Sequence, residues 1–586
     1  MADLLTARLP RTVRTGVATQ RTRGGPRSRV PVSRGWLAAP VAVAILIGAP
    51  LLVVIANLDG FLSAEMGHLI RTVLPRYIGT TIALVALVAG LCAIVGVAAA
   101  WLVTVYDFPG RRALGWLLVL PLALPTYIGA LAYAGIFDYT GPAQLLFREV
   151  LDIPAGAYPI LRVRGFGGLA FVLATLLYPY VYLTARAAFA QQGATLLEVT
   201  RSLGSSGFEA FARAVLPATR PALVAGVMLV VMETLGEFGA SHYLGVDTLT
   251  IGIFRGWFGL GSVKVALALG ALMLVIVALL QALEHRGRGA ARFGDATLHD
   301  RPLVRRRLQG ARALGAMAAC SLPVITGFGL PVGQLLWWAS RRLPGFDVDL
   351  VRLTGTSIGL AVAATAATVA LALLVAYAAR IRKDRLVGAL ARWSTAGYAV
   401  PAAVLAVGIA TAYTWVDHRL NDAASAMLGF SPGLLLTGSG LALVAAYVVR
   451  FFALGYHAID SGFCRIPARF DEVGRALGFR PGRGLLHVAL PNLRPALMTA
   501  SILMVVEMLK ELPLTLILRP FRLETLATNV FRLAGNEQII EASPYALVII
   551  AAGLGPVLIL NRLLAAGRAP RRSRSTPVHA PAPAQA

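Results

Sequence analysis

The chain has 586 residues, of which 57% are hydrophobic and only 14% are charged, and its mean hydropathy is +0.72. A soluble globular protein of this length needs more polar residues to cover its surface, so the composition excludes a water-soluble enzyme. The formal net charge of +26 would suggest nucleic-acid binding in a soluble protein. Here it has to be judged by where the basic residues lie relative to the apolar segments.

Twelve apolar segments are long enough to cross a bilayer, which takes about 20 residues of α-helix. Six precede and six follow a polar, arginine-rich stretch. The segments lie near 36–56, 80–105, 113–137, 168–185, 221–244 and 263–283, then near 313–340, 356–379, 393–415, 435–458, 495–518 and 543–561. This pattern predicts an all-α polytopic membrane protein of about twelve transmembrane helices.

The basic residues are distributed unequally between the two sides of the predicted helices. If the N-terminus is cytoplasmic, the connecting segments and tails on the inside hold 38 Lys and Arg residues and those on the outside hold 13. Basic residues resist translocation across the membrane, so both termini are predicted to be cytoplasmic. The positive charge therefore reports topology and some attraction to anionic lipid, and it predicts no nucleic-acid partner.

Short motifs recur between the two halves at a nearly constant offset. Gly79-Thr-Thr-Ile returns as Gly355-Thr-Ser-Ile at an offset of 276 residues, and the segment 198–204 returns as 472–478 at an offset of 274. An even number of helices per repeat gives both repeats the same orientation, hence two parallel six-helix repeats. We predict a basic cytoplasmic tail at 1–35, a first repeat at 36–283, a cytoplasmic linker at 284–312, a second repeat at 313–561 and a basic, disordered cytoplasmic tail at 562–586.

One repeated motif falls in the predicted cytoplasmic segments 186–220 and 459–494. In each segment a Glu is followed six residues later by Gly, and Leu-Pro follows twelve and thirteen residues after that. The residues are Glu198, Gly204, Leu216 and Pro217 in the first segment, and Glu472, Gly478, Leu490 and Pro491 in the second. The pattern predicts two short helices joined at the Gly, the second interrupted by the Pro. Such an elbow suits docking to a partner better than catalysis.

At this motif the sequence resembles the permease subunits of bacterial ABC importers, whose cytoplasmic loop carries a Glu-Ala-Ala, Gly, Ile-x-Leu-Pro signature that docks in a cleft of the ATPase. Val199-Thr200 and Val473-Gly474 stand in place of Ala-Ala. Further segments, including Glu233-Thr-Leu-Gly-Glu237-Phe-Gly-Ala and Lys510-Glu511-Leu-Pro513, narrow the resemblance to the fused two-domain permeases of ferric-iron importers.

The resemblance implies a permease of the bacterial inner membrane that imports ferric iron. It also implies two copies of a separate ATPase subunit, which would hold ATP and Mg, and a substrate-binding protein at the outer face. The chain itself is expected to bind no cofactor and not to be an enzyme, because none of its three lysines follows a Gly as a phosphate-binding loop requires. Thiamine or a polyamine remains an alternative cargo. An ion-coupled secondary transporter is a further alternative, although it would not explain the paired loops.

Five ionisable residues fall in otherwise apolar segments, where burying a charge is costly enough to suggest a function. They are Glu233, Glu237, Glu507, Lys510 and Glu511. Each pair of glutamates is four residues apart, which on a helix places both on one face, and the repeat offset matches the two pairs. We therefore predict a candidate translocation pathway lined by four carboxylates, without a tight metal site. The alternative is that these groups fix helix packing, with Lys510 paired to one carboxylate. Arg450, in the tenth segment, is expected to pair or snorkel rather than to bind cargo.

Overall fold

The computed structural model describes residues 34–152, 163–202, 207–288, 305–341, 348–382, 384–467 and 469–566. Nearly all of the predicted N-terminal tail, most of the predicted linker and most of the C-terminal tail lie outside the described residues. The predictions for those three segments therefore stay predictions.

The first half of the described chain consists of helices joined by short connections. Its α-helices are α1 (Ala38–Ala56), α2 (Ala64–Thr72), α3 (Leu74–Val105), α4 (Arg111–Leu117), α5 (Thr126–Phe137), α6 (Pro142–Leu151), α7 (Phe166–Ser202), α8 (Gly207–Ala210), α9 (Leu216–Gly236), α10 (Gly239–Tyr243), α11 (Leu249–Phe254) and α12 (Val263–Arg288). A strand of two residues, β1 (Tyr106–Asp107), pairs in parallel with β2 (Arg306–Arg307), which precedes the second half.

The second half repeats the same succession of long and short helices. Its α-helices are α13 (Gly310–Val324), α14 (Leu330–Arg341), α15 (Val348–Arg382), α16 (Arg385–Ser394), α17 (Ala402–Leu428), α18 (Leu435–Gly438), α19 (Leu441–Cys464), α20 (Arg469–Ala476), α21 (Pro481–Gly484), α22 (Leu490–Lys510), α23 (Pro513–Leu518), α24 (Leu526–Gly535) and α25 (Ile539–Ala566).

Each of the twelve predicted spans coincides with apolar helix. Among the described residues, nine helical stretches are long and apolar enough to cross a membrane, two more are bent pairs of helices, and Ile539–Gly555 is a shorter apolar helix. The prediction of an all-α polytopic membrane protein is confirmed. The third and ninth predicted spans are the bent pairs, with angles of 97° and 113°.

A proline sets the bend in both pairs. Pro125 and Pro401 stand immediately before α5 and α17, at equivalent positions of the repeat. The preceding residues, Leu124 and Val400, have extended backbones with ψ of 114° and 130°. A residue before Pro is disfavoured in the helical region, so the chain leaves the first helix there and starts a new one in another direction.

The core of each half is a bundle of three equivalent helices. Helices α3, α7 and α9 pack on one another in the first half, and α15, α19 and α22 do so in the second. The first span of each half packs crosswise, because α1 contacts α16 and α17 while α14, the second part of the Gly310–Arg341 span, contacts α5 and α25. The two halves are therefore interlocked.

Hydrogen bonds repeat between the halves along with the helices. The hydroxyl of Thr81 in α3 accepts the Leu249 N–H at 2.9 Å, and the hydroxyl of Ser357 in α15 accepts the Leu526 N–H at 2.8 Å. Both donors are the first residues of short helices, α11 and α24, whose N–H groups have no partner within the helix. A buried hydroxyl in an apolar span thus serves as the cap of a neighbouring helix at the same place in each half.

Candidate functional site

The central acidic residues lie where two long helices end. Helix α9 stops at Gly236 and α22 stops at Lys510, so Glu237 and Glu511 are the first residues beyond each helix, with extended backbones. The prediction that each glutamate pair shares one helix face is therefore wrong in its geometry. Each pair has one carboxylate in the last turn of a helix and one in the connection that follows.

That connection holds the second carboxylate of each pair in the same way. Glu237 Oε1 accepts the Ala240 N–H at 2.8 Å, and Glu511 Oε1 accepts the Leu514 N–H at 3.3 Å. These N–H groups belong to the first turns of α10 and α23, where a helix has no internal acceptor. Glu237 Oε2 also accepts a hydrogen bond from the hydroxyl of Thr126.

The five charged residues predicted from sequence all line one cavity of about 140 Å³ between the two halves. Its walls come from α5, α7 and α9 of the first half and from α17, α19 and α22 of the second, together with the connections that follow α9 and α22. One threonine, three tyrosines and one arginine that the sequence prediction did not place there complete its polar lining: Thr126, Tyr127, Tyr180, Tyr398 and Arg450. The repeat thus brings its matched carboxylates together at the interface of the two halves.

Ion pairs within the cavity occur on one side. Lys510 Nζ lies 2.7 Å from Glu507 Oε1 and donates to the Leu122 carbonyl at 3.3 Å. Arg450 Nε lies 3.2 Å from Glu511 Oε2, and its side chain and that of Glu511 are 16% and 8% exposed. At the repeat offset of 274, Leu176 and Gly236 replace Arg450 and Lys510 in the first half. Four carboxylates and two cations leave the cavity with a formal charge of −2.

Arg450 lines the central cavity, where the sequence does not predict it. The expectation is that it pairs or snorkels, and it does pair, inside the cavity. Its Nη1 donates to the Val400 carbonyl at 3.2 Å. The signal that could have located it is the charge balance of the apolar spans. Four glutamates and one lysine in apolar spans call for a second cation, and Arg450 is the strongest candidate in the sequence of those spans.

The second predicted docking segment is well ordered around α20. Glu472 is exposed on this helix, and Gly478, two residues after its end, has a left-handed φ of +76°. The Phe479 N–H bonds to the Gly474 carbonyl at 2.9 Å, which is the longer bond of a Schellman motif. The predicted glycine cap is therefore present in the second half.

An arginine of a neighbouring span fixes the position of α20. Arg380 in α15 pairs with Asp471 at 2.7 Å and donates to the carbonyls of Phe463 and Ile466 at 2.7 and 3.0 Å. One side chain thus joins the end of α19, the connection and α20. The apolar side chains that remain exposed on and next to α20 are Phe470, Val473 and Leu477, at 46%, 56% and 67%.

The first predicted docking segment is described only in part. Glu198 lies within α7, whose described length runs to Ser202, and Gly204 lies outside the described residues. Leu216 and Pro217 begin α9 as Leu490 and Pro491 begin α22. The separate first helix of the predicted elbow is thus replaced here by an extension of α7.

Neither proline interrupts its helix as the sequence predicted. A π-helical turn precedes each one, at Phe211–Val215 and at Leu485–Ala489, and the helix continues into α9 or α22. The N–H of Leu216 bonds to the Phe211 carbonyl, and that of Leu490 to the Leu485 carbonyl, both five residues back. In a regular α-helix the proline ring would clash with the carbonyl four residues earlier, and proline has no N–H to donate to that carbonyl. The wider turn leaves room for the ring.

Residue types that bind metal ions tightly do not converge at this site. Within the described ranges, no three His, Cys, Asp or Glu side chains come close enough together to hold a metal ion.

Comparison with known proteins supports the sequence resemblance. Residues 368–566 match the family described as binding-protein-dependent transport system inner membrane component. The Fe(3+)-transport system permease protein FbpB 2 of Haemophilus influenzae is 23% identical over 88% of this chain and 97% of its own length. The probable ABC transporter permease protein y4fN of Sinorhizobium fredii is 24% identical over 80% of this chain and 84% of its own length.

A third relative matches more closely over a shorter region. The sulfate transport system permease protein CysT of Escherichia coli is 35% identical over 149 residues, which are 25% of this chain and 51% of CysT. The family match lies in the second half, and two relatives align over most of the chain. Residues 368–566 therefore carry a domain of the binding-protein-dependent transport system inner membrane component family, and the chain as a whole is similar to permease proteins of bacterial ABC transporters.

Proposed function

We propose that this permease carries ferric iron as its cargo. The observation that carries the proposal is the central cavity between the two halves, which is lined by four carboxylates and only two cations. A hard, highly charged cation such as Fe(III) prefers oxygen ligands. One of the two permease relatives that align over most of both chains has Fe(3+) transport in its name.

The alternative that the comparisons raise is an oxyanion such as sulfate. An oxyanion site needs free N–H donors or cationic side chains. In the cavity, the guanidinium of Arg450 and the ammonium of Lys510 are already engaged by Glu511 and Glu507. The uncompensated charge of the cavity is negative, so it favours a cation over sulfate.

Coupling to ATP is proposed to occur through the two loop segments. In this account each segment, with Glu198, Gly204, Leu216 and Pro217 or with Glu472, Gly478, Leu490 and Pro491, docks one copy of a separate ATPase that binds ATP and Mg. The exposed apolar side chains around α20 support this role, since they offer a partner an apolar contact next to an exposed carboxylate.

The remaining parts of the assembly follow from this arrangement. A substrate-binding protein delivers cargo at the outer face, both termini are cytoplasmic, and the chain is organised as the two repeats 36–283 and 313–561 joined by a linker. The proposal gives the chain no ATPase site of its own.

Reconstitution tests the proposal. Proteoliposomes containing the permease, its neighbouring ATPase and its binding protein are supplied with radiolabelled ferric iron, sulfate, thiamine or a polyamine, with and without internal ATP. ATP-dependent uptake of iron alone is the expected result. Uptake of another cargo contradicts the iron assignment, and uptake driven by a proton gradient without ATP contradicts the coupling mechanism.

A further inference from the structure

Tyr127 carries a buried hydroxyl that no described group satisfies. The residue is the second of α5, it is 6% exposed, and its hydroxyl has no hydrogen-bond partner in the described part of the chain. It lines the central cavity with Glu237 and Glu511. A buried polar group without a partner is costly in a native structure, and an ion or ligand that occupies the site only transiently is one explanation.

The two halves contribute unequally to the charge of that cavity. Both second-half carboxylates are neutralised by second-half cations, in the pairs Glu507–Lys510 and Glu511–Arg450. In the first half, Glu237 accepts hydrogen bonds only from uncharged groups, and Glu233 makes no direct ion pair or hydrogen bond in the described part of the chain, although Arg450 and Lys510 lie close enough to act on its charge. The carboxylates without a directly paired cation therefore belong to the first half, which also supplies Tyr127.

We propose that the first half alone forms a transient cation subsite, in which the carboxylates of Glu233 and Glu237 and the hydroxyl of Tyr127 face the passing cargo. This inference rests on the proposed function and refines it, since it replaces a symmetric ring of four carboxylates by an asymmetric set of oxygen donors. The Glu511–Arg450 pair then joins the end of α22 to α19, Lys510 reaches the Leu122 carbonyl of the first half, and both pairs line the opposite wall.

The chemistry of the subsite selects a multivalent, oxygen-seeking cation. All three groups present oxygen atoms, which such cations prefer to nitrogen or sulfur. A volume of about 140 Å³ has room for an ion with several of its water ligands, since one water takes about 30 Å³ in the liquid. The groups do not form a closed metal cage, which suits a subsite that has to release its ion.

Tyr127→Phe is the direct test, and the chain offers a matched control. Tyr178 is also a fully buried tyrosine whose hydroxyl has no partner in the described residues, but it does not line the cavity. Binding is measured on the purified full-length permease with terbium(III), a trivalent oxygen-seeking ion with sensitised luminescence. The expected result is a fivefold or larger loss of terbium affinity in Tyr127→Phe and none in Tyr178→Phe, with neither variant unfolding earlier than the parent.

A second pair of variants tests the asymmetry. Glu233→Gln removes a carboxylate that has no directly paired cation, whereas Glu507→Gln with Lys510→Met removes a neutral pair. Glu233→Gln is therefore expected to weaken terbium binding at least fivefold more than the double variant does. Equal losses would restore the symmetric ring, and unchanged affinity in both Tyr127→Phe and Glu233→Gln would overturn the subsite.

Iron uptake by the unmutated complex is measured in parallel. Its absence contradicts the proposed function, while the terbium series still decides whether the subsite exists.

Discussion

Replacing Arg450 by Met tests whether the buried ion pair between α19 and the connection that follows α22 stabilises the protein. The guanidinium lies 3.2 Å from the Glu511 carboxylate, and the two side chains are 16% and 8% exposed. Removing one partner of a buried pair leaves the other charge uncompensated, which typically costs about 3–5 kcal/mol. Because Glu511 keeps its hydrogen bond from the Leu514 N–H, we expect the lower end of that range.

The assay is equilibrium unfolding of the purified protein in mixed micelles, as a double-mutant cycle. Arg450→Met and Glu511→Gln are measured singly and together, and the double variant is expected to lose clearly less free energy of unfolding than the sum of the singles. Arg352→Met is the matched control, because Arg352 pairs with Asp349 at 2.9 Å but both side chains are more than 60% exposed. An exposed pair contributes at most about 1 kcal/mol.

If Arg450→Met lowers the free energy of unfolding by no more than Arg352→Met does, the pair in the cavity is not a buried, coupled interaction. Additive effects of Arg450→Met and Glu511→Gln would lead to the same conclusion.

Three further predictions concern the loops and the packing of α7 on α9. Glu198→Lys with Glu472→Lys is expected to abolish co-purification of the ATPase and transport while the protein stays in the membrane; normal uptake would refute the docking role. Gly478→Val forces a side chain into a φ of +76° at a cost of about 1–2 kcal/mol, and should reduce ATPase co-purification more than it reduces thermal stability. Gly226→Val should lower the free energy of unfolding by about 1–3 kcal/mol, because a Cβ there would lie 2.1 Å from Thr184 Oγ1 and 3.1 Å from the backbone of α7. Thr184→Ala should recover part of that loss, and a Gly226→Val protein as stable as the parent would show that the helices separate freely.

The sequence was sufficient to predict the architecture, because length of apolar helix is the strongest constraint a bilayer imposes. It also located the four glutamates and Lys510, since charges in apolar spans are conspicuous and the repeat offset matches them in pairs. In the structure all five line one cavity. Their role as a pathway stays a proposal.

The details that sequence reasoning missed depend on backbone geometry rather than on composition. Glu237 and Glu511 lie beyond the ends of their helices because the chain turns into α10 and α23 there, and apolar periodicity does not locate such a turn to within a residue. The π-helical turns before Pro217 and Pro491 are likewise invisible in a hydropathy pattern. The expected pairing of Arg450 is present, but its location in the central cavity could not be predicted, because a lone arginine in a span is compatible with snorkelling as well as with pairing.

The rate of ATP hydrolysis by the reconstituted permease and ATPase complex, measured with its binding protein in different loaded states, decides between iron and the other cargoes. We expect the binding protein loaded with ferric iron to stimulate hydrolysis well above the level reached with the empty protein or with sulfate or thiamine. Stimulation by the sulfate- or thiamine-loaded form, with none by the iron-loaded form, would contradict the iron assignment.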